Sequence, residues 1–319
     1  RLKDLPAKER ALIGERANRL RKKVEALLAE RQSDLKKISL EPSLKKEWLD
    51  VTRPGRKPER GHLHPITKVI RDIKTIFAEM GFAAVDGPEV ETEYYNFDAL
   101  NIPANHPARD LWDTFWFKPA ASCQQPAAIQ KLEAGSEKLS TSPRLLLRTH
   151  TSSMQVRYME AHNPPLRVIF PGRVYRYEAT DASHETQFYQ LEGVMIDKDV
   201  SIANFKYVIQ HFFSRLFGKK IEVRLRPSAY FPFVEPNFEV DIRRLDTNTR
   251  MRTNDTNKWI EIAGAGMIHP EVFKHAGYKP HDWQGFAFGM GIDRIAMMKY
   301  KIPDVRLFHS GDLRFLKQF

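Results

Sequence analysis

Residues 171–193, PGRVYRYEATDASHETQFYQLEG, constrain this chain more than any other stretch. Two β-prone runs flank a polar loop, ATDASHET, so the sequence reads as an antiparallel hairpin. Strand side chains alternate between faces, which puts Val174, Arg176 and Glu178 on one side and Tyr175 and Tyr177 on the other. The returning run, QFYQLEGVMI, is expected to bring Gln190 and Glu192 beside Arg176 and Glu178 as a polar platform. A fixed arginine grips a phosphate oxygen and a carboxylate through forked hydrogen bonds. A carboxylate such as Glu178 accepts from an amino group, for instance that of an adenine. On its own the stretch reads equally as a surface hairpin with cross-strand ion pairs.

Its companions narrow the choice. Upstream, LLLRTHTSSMQVRYM (145–159) reads as a strand entering a helix. Downstream, FGMGIDRIAMM (288–298) reads as a glycine-rich strand end entering a helix, with Arg294 in the first turn. Arg176-x-Glu178 followed by a loop and Phe188 resembles motif 2 of the class II aminoacyl-tRNA synthetases. Gly289-Met290-Gly291-Ile292-Asp293-Arg294 resembles their motif 3, and Gly81-Phe82 with Pro88 resembles motif 1. The resemblance is closer still to the family of bacterial phenylalanyl-tRNA synthetase α subunits. It is carried by THTS (149–152), GRVYRYE (172–178), QLEG (190–193), YFPFVEP (230–236), GFAFGMG (285–291) and the ending DLRFLKQF, and it spans about residues 60–319. One such motif is weak; together they are specific.

The resemblance implies activation of L-phenylalanine by ATP and its transfer to the 3′ end of a tRNA, with Mg2+ accompanying the ATP. By the same resemblance Arg176 would bridge the α-phosphate and the amino-acid carboxylate, while Glu178 meets the adenine amine. Phe188 and Arg294 would cover the two faces of the adenine ring, and His184 would reach the terminal phosphates. Ser152, Gln190 and Glu192 would accept from the α-ammonium, with His150 and Gln155 nearby. Phe231 and Phe233, two apart on one strand face, would wall an apolar slot for the substrate ring, floored by Ala287 beside Gly289; as residues alone they also read as core. Trp112 reads either as pocket lining or as core. Glu235 resembles the family's magnesium carboxylate, shared with a β subunit.

Charge is unevenly distributed. Residues 1–60 hold 18 Lys and Arg against 10 Asp and Glu, whereas residues 61–319 are close to balanced, with 33 against 30. A basic arm on a near-neutral body suits a polyanion partner, although a solvated helix face has the same composition. No apolar run approaches the length of a membrane span, and no stretch reads as a signal peptide. The single cysteine, Cys123, excludes an internal disulfide and fits a reducing, cytoplasmic setting. The chain begins with Arg rather than Met, so residues are expected to precede it.

Along the chain, the spacing of Leu20, Val24, Leu27, Leu35 and Ile38 predicts a helix over 7–40, ending at Glu41-Pro42 and belonging to a coiled coil or helical hairpin. We therefore divide the chain into a basic helical arm (1–50), a Pro/Gly/Arg-rich linker (51–63) and a catalytic domain (64–319). The apolar stripe Ile66, Val69, Ile70, Ile73, Phe77, Met80 predicts an amphipathic helix closed by Gly81. Residues 119–143 read as an exposed insertion and 243–257 as a polar hairpin tip. A helix over 201–217, strands at 221–226, 230–242, 258–263 and 285–289, and a helix over 270–280 complete an α+β domain: an antiparallel sheet flanked by helices.

Only 25 residues follow Arg294, too few for an anticodon-binding module. The resemblance therefore implies an α2β2 heterotetramer, with a phenylalanyl-tRNA synthetase β subunit completing tRNA recognition. Two other functions remain open at this point: a class II paralogue handling another amino acid, and a non-catalytic RNA-binding protein of the same fold.

Overall fold

The computed structural model describes residues 6–46, 52, 54–55, 61–107, 109, 113–118, 144–228, 231–244 and 259–319. Trp112, Cys123, the 119–143 insertion, most of the 51–63 linker and most of the 243–257 tip lie outside the described residues. The chain divides into two compact units, residues 1–60 and 61–319.

The first unit is a long helix, α1 (Ala7–Lys46). It runs past Pro42, where the sequence predicts a stop. Pro42 lies close to the C-terminal end, so the one ladder bond it lacks falls in the final turns and the helix continues. Pairs at helical spacing, Arg19 with Glu15 at 2.7 Å and Arg21 with Glu25 at 3.6 Å, line its surface. Leu20, Val24, Leu27, Leu28, Leu35 and Ile38 are exposed.

The second unit begins with α2 (Pro65–Glu79), whose N-terminus is capped by His64: Nδ1 accepts from the Ile66 N–H at 3.2 Å. The helix closes before Gly81, which takes a positive φ of 80°, as its sequence position predicts. Strands β1 (Ala83–Ala84) and β2 (Val90–Thr92) follow, then the short α3 (Glu93–Asn96), β3 (Leu145–Leu147) and α4 (Ser153–Ala161). The hairpin is β4 (Leu166–Tyr175) with β5 (Gln187–Asp197). After them come α5 (Ile202–Phe217), β6 (Ile221–Ser228), β7 (Val234–Arg244), β8 (Ile260–Ile268), α6 (Pro270–His275), β9 (Gln284–Gly291), α7 (Ile292–Tyr300) and α8 (Leu313–Leu316).

Seven of these strands form one sheet in the order β1-β4-β5-β9-β8-β7-β6. Only the β1–β4 contact at one edge is parallel. The fold is therefore α+β, an antiparallel sheet between helical layers, as the sequence predicts. On one face α2, α5 and α7 bury Phe77, Phe212, Phe286 and Phe288. The Phe77 ring stacks on Phe288 at 5.7 Å and meets Phe212 at 4.8 Å. Each such fully buried ring contributes about 1.5–3 kcal/mol relative to an exposed one. On the other face, α4, α6 and residues 97–102 bury Val194, Ile196, Ile268 and Ala287. Alternation along the strands divides the two cores, and the second face carries the cavity.

Four local expectations change. Strand β4 ends at Tyr175, so Arg176 and Glu178 stand just beyond it, although Arg176 N–H still donates to Thr186 O at 2.9 Å. Gln190 and Glu192 are therefore not beside Arg176; they pair with Gly172 and Phe170. Phe231 and Phe233 sit in a turn before β7, because Pro232 between them offers no N–H to a ladder. Strand β8 continues through AGAGMI to Ile268, and α6 stops at His275.

Candidate active site

A cavity of about 500 Å3 opens on the sheet between β5, β9, β8 and the 231–233 turn. Its floor consists of small residues. Glu192 pairs with Gly289, Gly289 with Gly264, and Val194 with Ala287, which pairs with Gly266. A Cβ on Gly289 would come within 3.2 Å of Glu192 Cγ, and one on Gly264 within 2.6 Å of the Phe231 ring. Glycine at these two positions lets the carboxylate and the ring lie flat against the sheet.

At one end of the cavity stands Glu192, almost fully buried. Its carboxylate accepts from Thr151 N–H at 3.2 Å, from Gln155 Nε2 at 3.1 Å and from the Ser152 hydroxyl. Burial raises its pKa, opposed by these donors and by the charge of Arg176. The THTS run supplies two of the donors and Gln155 the third, because the run sits at the start of α4, where backbone and side-chain donors turn toward β5. Gln190 lines the same wall, and its buried Oε1 has no hydrogen-bond partner among the described residues. His150 is buried beside them. Desolvation first, then the charges of Arg176 and Arg148, push its pKa down to about 3, so the ring is neutral.

Arg176 also lines the cavity. Its Nε donates to Thr149 O at 3.1 Å, Nη1 lies 3.8 Å from Glu178 Oε1, and the guanidinium lies 5.2 Å from the Phe188 ring centre. Arg176, Phe188 and Arg294 also line a second, adjoining cavity of about 690 Å3 with Glu178 and His184. His184 is exposed in the hairpin loop, where Asp181 accepts from the His184 N–H at 2.7 Å and lies 3.0 Å from its ring Nδ1. Arg294 is in the first turn of α7, as its motif predicts. At the apolar end, the Phe231 and Phe233 rings are 5.9 Å apart, opposite the buried Ala287.

Glu235 is not part of either cavity lining. Its side chain is 75% exposed and its Oε2 lies 3.3 Å from His269 Nε2. Among the described residues no three His, Cys, Asp or Glu side chains gather as a metal site. One carboxylate is short of the several oxygens a magnesium ion takes, so the described residues of this chain do not by themselves fit the ion.

Two features escaped the sequence reading. Glu239 and Glu261 line the first cavity, and Arg226 Nη2 binds both, at 2.6 and 2.9 Å. Alternating Asn237, Glu239 and Asp241 on β7 is the pattern that could have revealed Glu239. Asp293 is 4% exposed and accepts from the Tyr189 N–H at 2.6 Å, tying α7 to β5 between Arg294 and Phe188. A lone acid inside an apolar run was the available signal.

Residues 48–319 match the family described as tRNA synthetases class II core domain (F), and residues 1–44 match the aminoacyl tRNA synthetase class II N-terminal domain. The chain is 46% identical, over its whole length and 83% of the relative's, to a phenylalanine–tRNA ligase alpha subunit of Cereibacter sphaeroides. It is 46% identical over 99% of its length to that of Geobacter metallireducens, covering 86% of that protein. Among solved structures, pyrrolysyl-tRNA synthetase from Desulfitobacterium hafniense superposes with a TM-score of 0.53 at 14% identity, over 77% of this chain and 74% of that one. That likeness speaks to the fold.

Proposed function

The chain belongs to the class II aminoacyl-tRNA synthetases, among the phenylalanine–tRNA ligase alpha subunits, and from this we propose how its two joined cavities divide the work. Phenylalanine lies in the first cavity and ATP in the second, with Arg176 at their junction. The observation that carries this reading is the set of opposed groups lining one cavity: the buried Glu192 carboxylate, the Arg176 guanidinium and an aromatic-walled apolar slot. A zwitterion with an aromatic side chain matches all three. Its ammonium donates to Glu192 and to the unpartnered Oε1 of Gln190, its carboxylate meets Arg176, and its ring enters between Phe231, Phe233 and Ala287.

In the first step the phenylalanine carboxylate attacks the α-phosphorus of ATP, and pyrophosphate leaves with the electrons of the broken P–O bond. In the second, the terminal hydroxyl of tRNA attacks the acyl carbon and AMP leaves. The protein's part is to hold the reactants in line and to offset charge, which supplies most of the rate in such transfers. Arg176 neutralises both the attacking carboxylate and the α-phosphate, and Glu192 with Ser152 and Gln155 fixes the amino end. Phe188 and Arg294 enclose the adenine, Glu178 accepts from its amine, and His184 reaches outward to the terminal phosphates. The neutral His150 shapes the pocket without adding charge.

Glu192→Gln tests the assignment. It keeps the side-chain shape and removes the charge that an ammonium seeks; a hydrogen bond to a charged group is worth about 1.5–3 kcal/mol, or about ten- to a hundredfold in KM for phenylalanine. KM for ATP stays as it was. An unchanged phenylalanine KM would place the ammonium elsewhere.

The remaining expectations complete the proposal. A β subunit joins this chain in an α2β2 assembly, and Glu235 would contribute to a magnesium site only together with groups of that partner. The arm, residues 1–50, meets tRNA phosphates, and 51–63 links it to the catalytic domain at 64–319. Among the described residues no helix is long and apolar enough to cross a membrane.

A further inference from the structure

The aromatic wall of the first cavity is a turn, and a turn has no strand neighbour on either side to set its position. Each of its three backbone carbonyls is instead held from a different place. Phe231 O accepts from Val234 N–H at 3.3 Å and from Asn237 Nδ2 at 3.3 Å. Phe233 O accepts from His269 N–H at 3.0 Å, at the start of α6. Pro232 O, at the tip between the two rings, accepts from Asn101 Nδ2 at 2.8 Å, across 131 residues of sequence.

Asn101 is itself set firmly. It has a left-handed backbone, φ 60° and ψ 34°, a conformation asparagine tolerates better than most residues. It closes the short 3-10 turn Asp98–Leu100, its N–H donating to Asp98 O at 3.1 Å. Buried Ala99, Leu100 and Ile102 flank it. Arg109 locks the same segment, donating from Nη2 to Asp98 Oδ1 at 2.5 Å, from Nε to Ile102 O at 3.0 Å and from Nη1 to Glu93 Oε1 at 2.7 Å. A rigid turn therefore aims one amide at the tip of the aromatic wall. Because the acceptor is a carbonyl, the amide nitrogen must face it; an oxygen there would repel.

We propose that Asn101, which does not line the cavity, is a positioning residue for amino-acid selectivity: it sets where Phe231 and Phe233 stand against the Ala287 floor. The proposal rests on the reading of that cavity as the phenylalanine site. The seat of the wall has little slack, since Phe231 lies flat on Gly264 with no room for a Cβ between them. Loosening the tip lets the two rings part, which weakens the grip on phenylalanine and widens the slot for a bulkier ring. The ATP side, built from Phe188, Glu178 and Arg294, is untouched.

Two variants of the full-length chain, each purified with its partner subunit, test this. Asn101→Gly keeps the left-handed backbone and deletes the donor; Asn101→Asp keeps the side-chain shape and sets a carboxylate against the carbonyl. Amino-acid-dependent ATP–pyrophosphate exchange is measured with phenylalanine and with para-chlorophenylalanine, alongside KM for ATP. The loss of one neutral hydrogen bond predicts a roughly three- to tenfold rise in phenylalanine KM for Asn101→Gly, and the repulsion between carboxylate and carbonyl a larger rise for Asn101→Asp. Discrimination against the para-chloro substrate narrows by about threefold or more, and KM for ATP does not move. An unchanged selectivity ratio overturns the proposal, as does an equal loss with both substrates accompanied by a lower melting temperature, which marks a merely structural residue. If the unaltered enzyme shows no phenylalanine-dependent exchange, the cavity assignment itself fails and the proposal falls with it.

Discussion

Asp293 offers a quantitative test of how the two motif-bearing elements are joined. Its carboxylate is 4% exposed; one oxygen accepts from the Tyr189 N–H at 2.6 Å, and the other, Oδ1, has no hydrogen-bond partner among the described residues. Burial is the main cause that raises its pKa from 3.8 to about 6; the Tyr189 hydrogen bond acts against the shift. The native state therefore holds the proton more tightly than the unfolded chain. Stability falls as pH rises through the window from 3.8 to about 6 and is flat above it. Over the whole window the loss is about 3 kcal/mol, and about half of it falls between pH 5 and pH 7.5. In Asp293→Asn the new side-chain amide would still accept from Tyr189 through its oxygen but carries no titrating group. The stability of Asp293→Asn relative to the unaltered protein should thus improve by about 1–2 kcal/mol on going from pH 5 to pH 7.5. For a domain of this size that is about 3–6 °C in melting temperature. Thermal unfolding followed by circular dichroism at several pH values measures it. The constant offset from replacing a carboxylate oxygen by an amide nitrogen cancels in the comparison. Parallel pH profiles for the two proteins would refute the picture of an ionised acid buried between α7 and β5.

Two further outcomes follow from the proposed roles. Arg176→Ala removes neutralisation of phosphate and carboxylate together, so phenylalanine-dependent exchange should fall at least about a hundredfold even at saturating substrates; near-normal kinetics would remove Arg176 from the reaction. Deleting residues 1–60, with their excess of eight positive charges, should leave exchange intact while weakening tRNA binding and flattening its salt dependence, and an unchanged salt slope would count against the arm.

What could be read from the sequence was whatever follows from local periodicity. The helical stripe from Ile66 to Met80 and its close at Gly81 needed no tertiary information, and neither did the strand-to-helix junction that sets Arg294 in the first turn of α7. Alternation on QFYQLEG put Phe188, Gln190 and Glu192 on one face, and all three line one cavity. Register was hidden. Val174 pairs with Phe188, so Arg176 faces Thr186 rather than Gln190, and the loop between the strands, not the strand sequences, decides this. The FPF run looked like strand because its aromatics are two apart, yet Pro232 excludes it from a ladder. The strand expected over 258–263 continues through AGAGMI, where Gly264 leaves room for the Phe231 ring, as Gly289 on β9 does for Glu192. Long-range partners such as Asn101 with Pro232, or Arg226 with Glu239 and Glu261, leave no periodic trace at all.

Phenylalanine activation in the Glu192–Arg176–Phe231 cavity can be measured directly. Its most direct test is ATP–pyrophosphate exchange by the full-length chain purified with its β subunit, measured against each standard amino acid in turn. Exchange should depend on phenylalanine, with tyrosine and leucine far weaker, and should be lost in Arg176→Ala. Exchange driven equally well by another amino acid, or none with any, would contradict it.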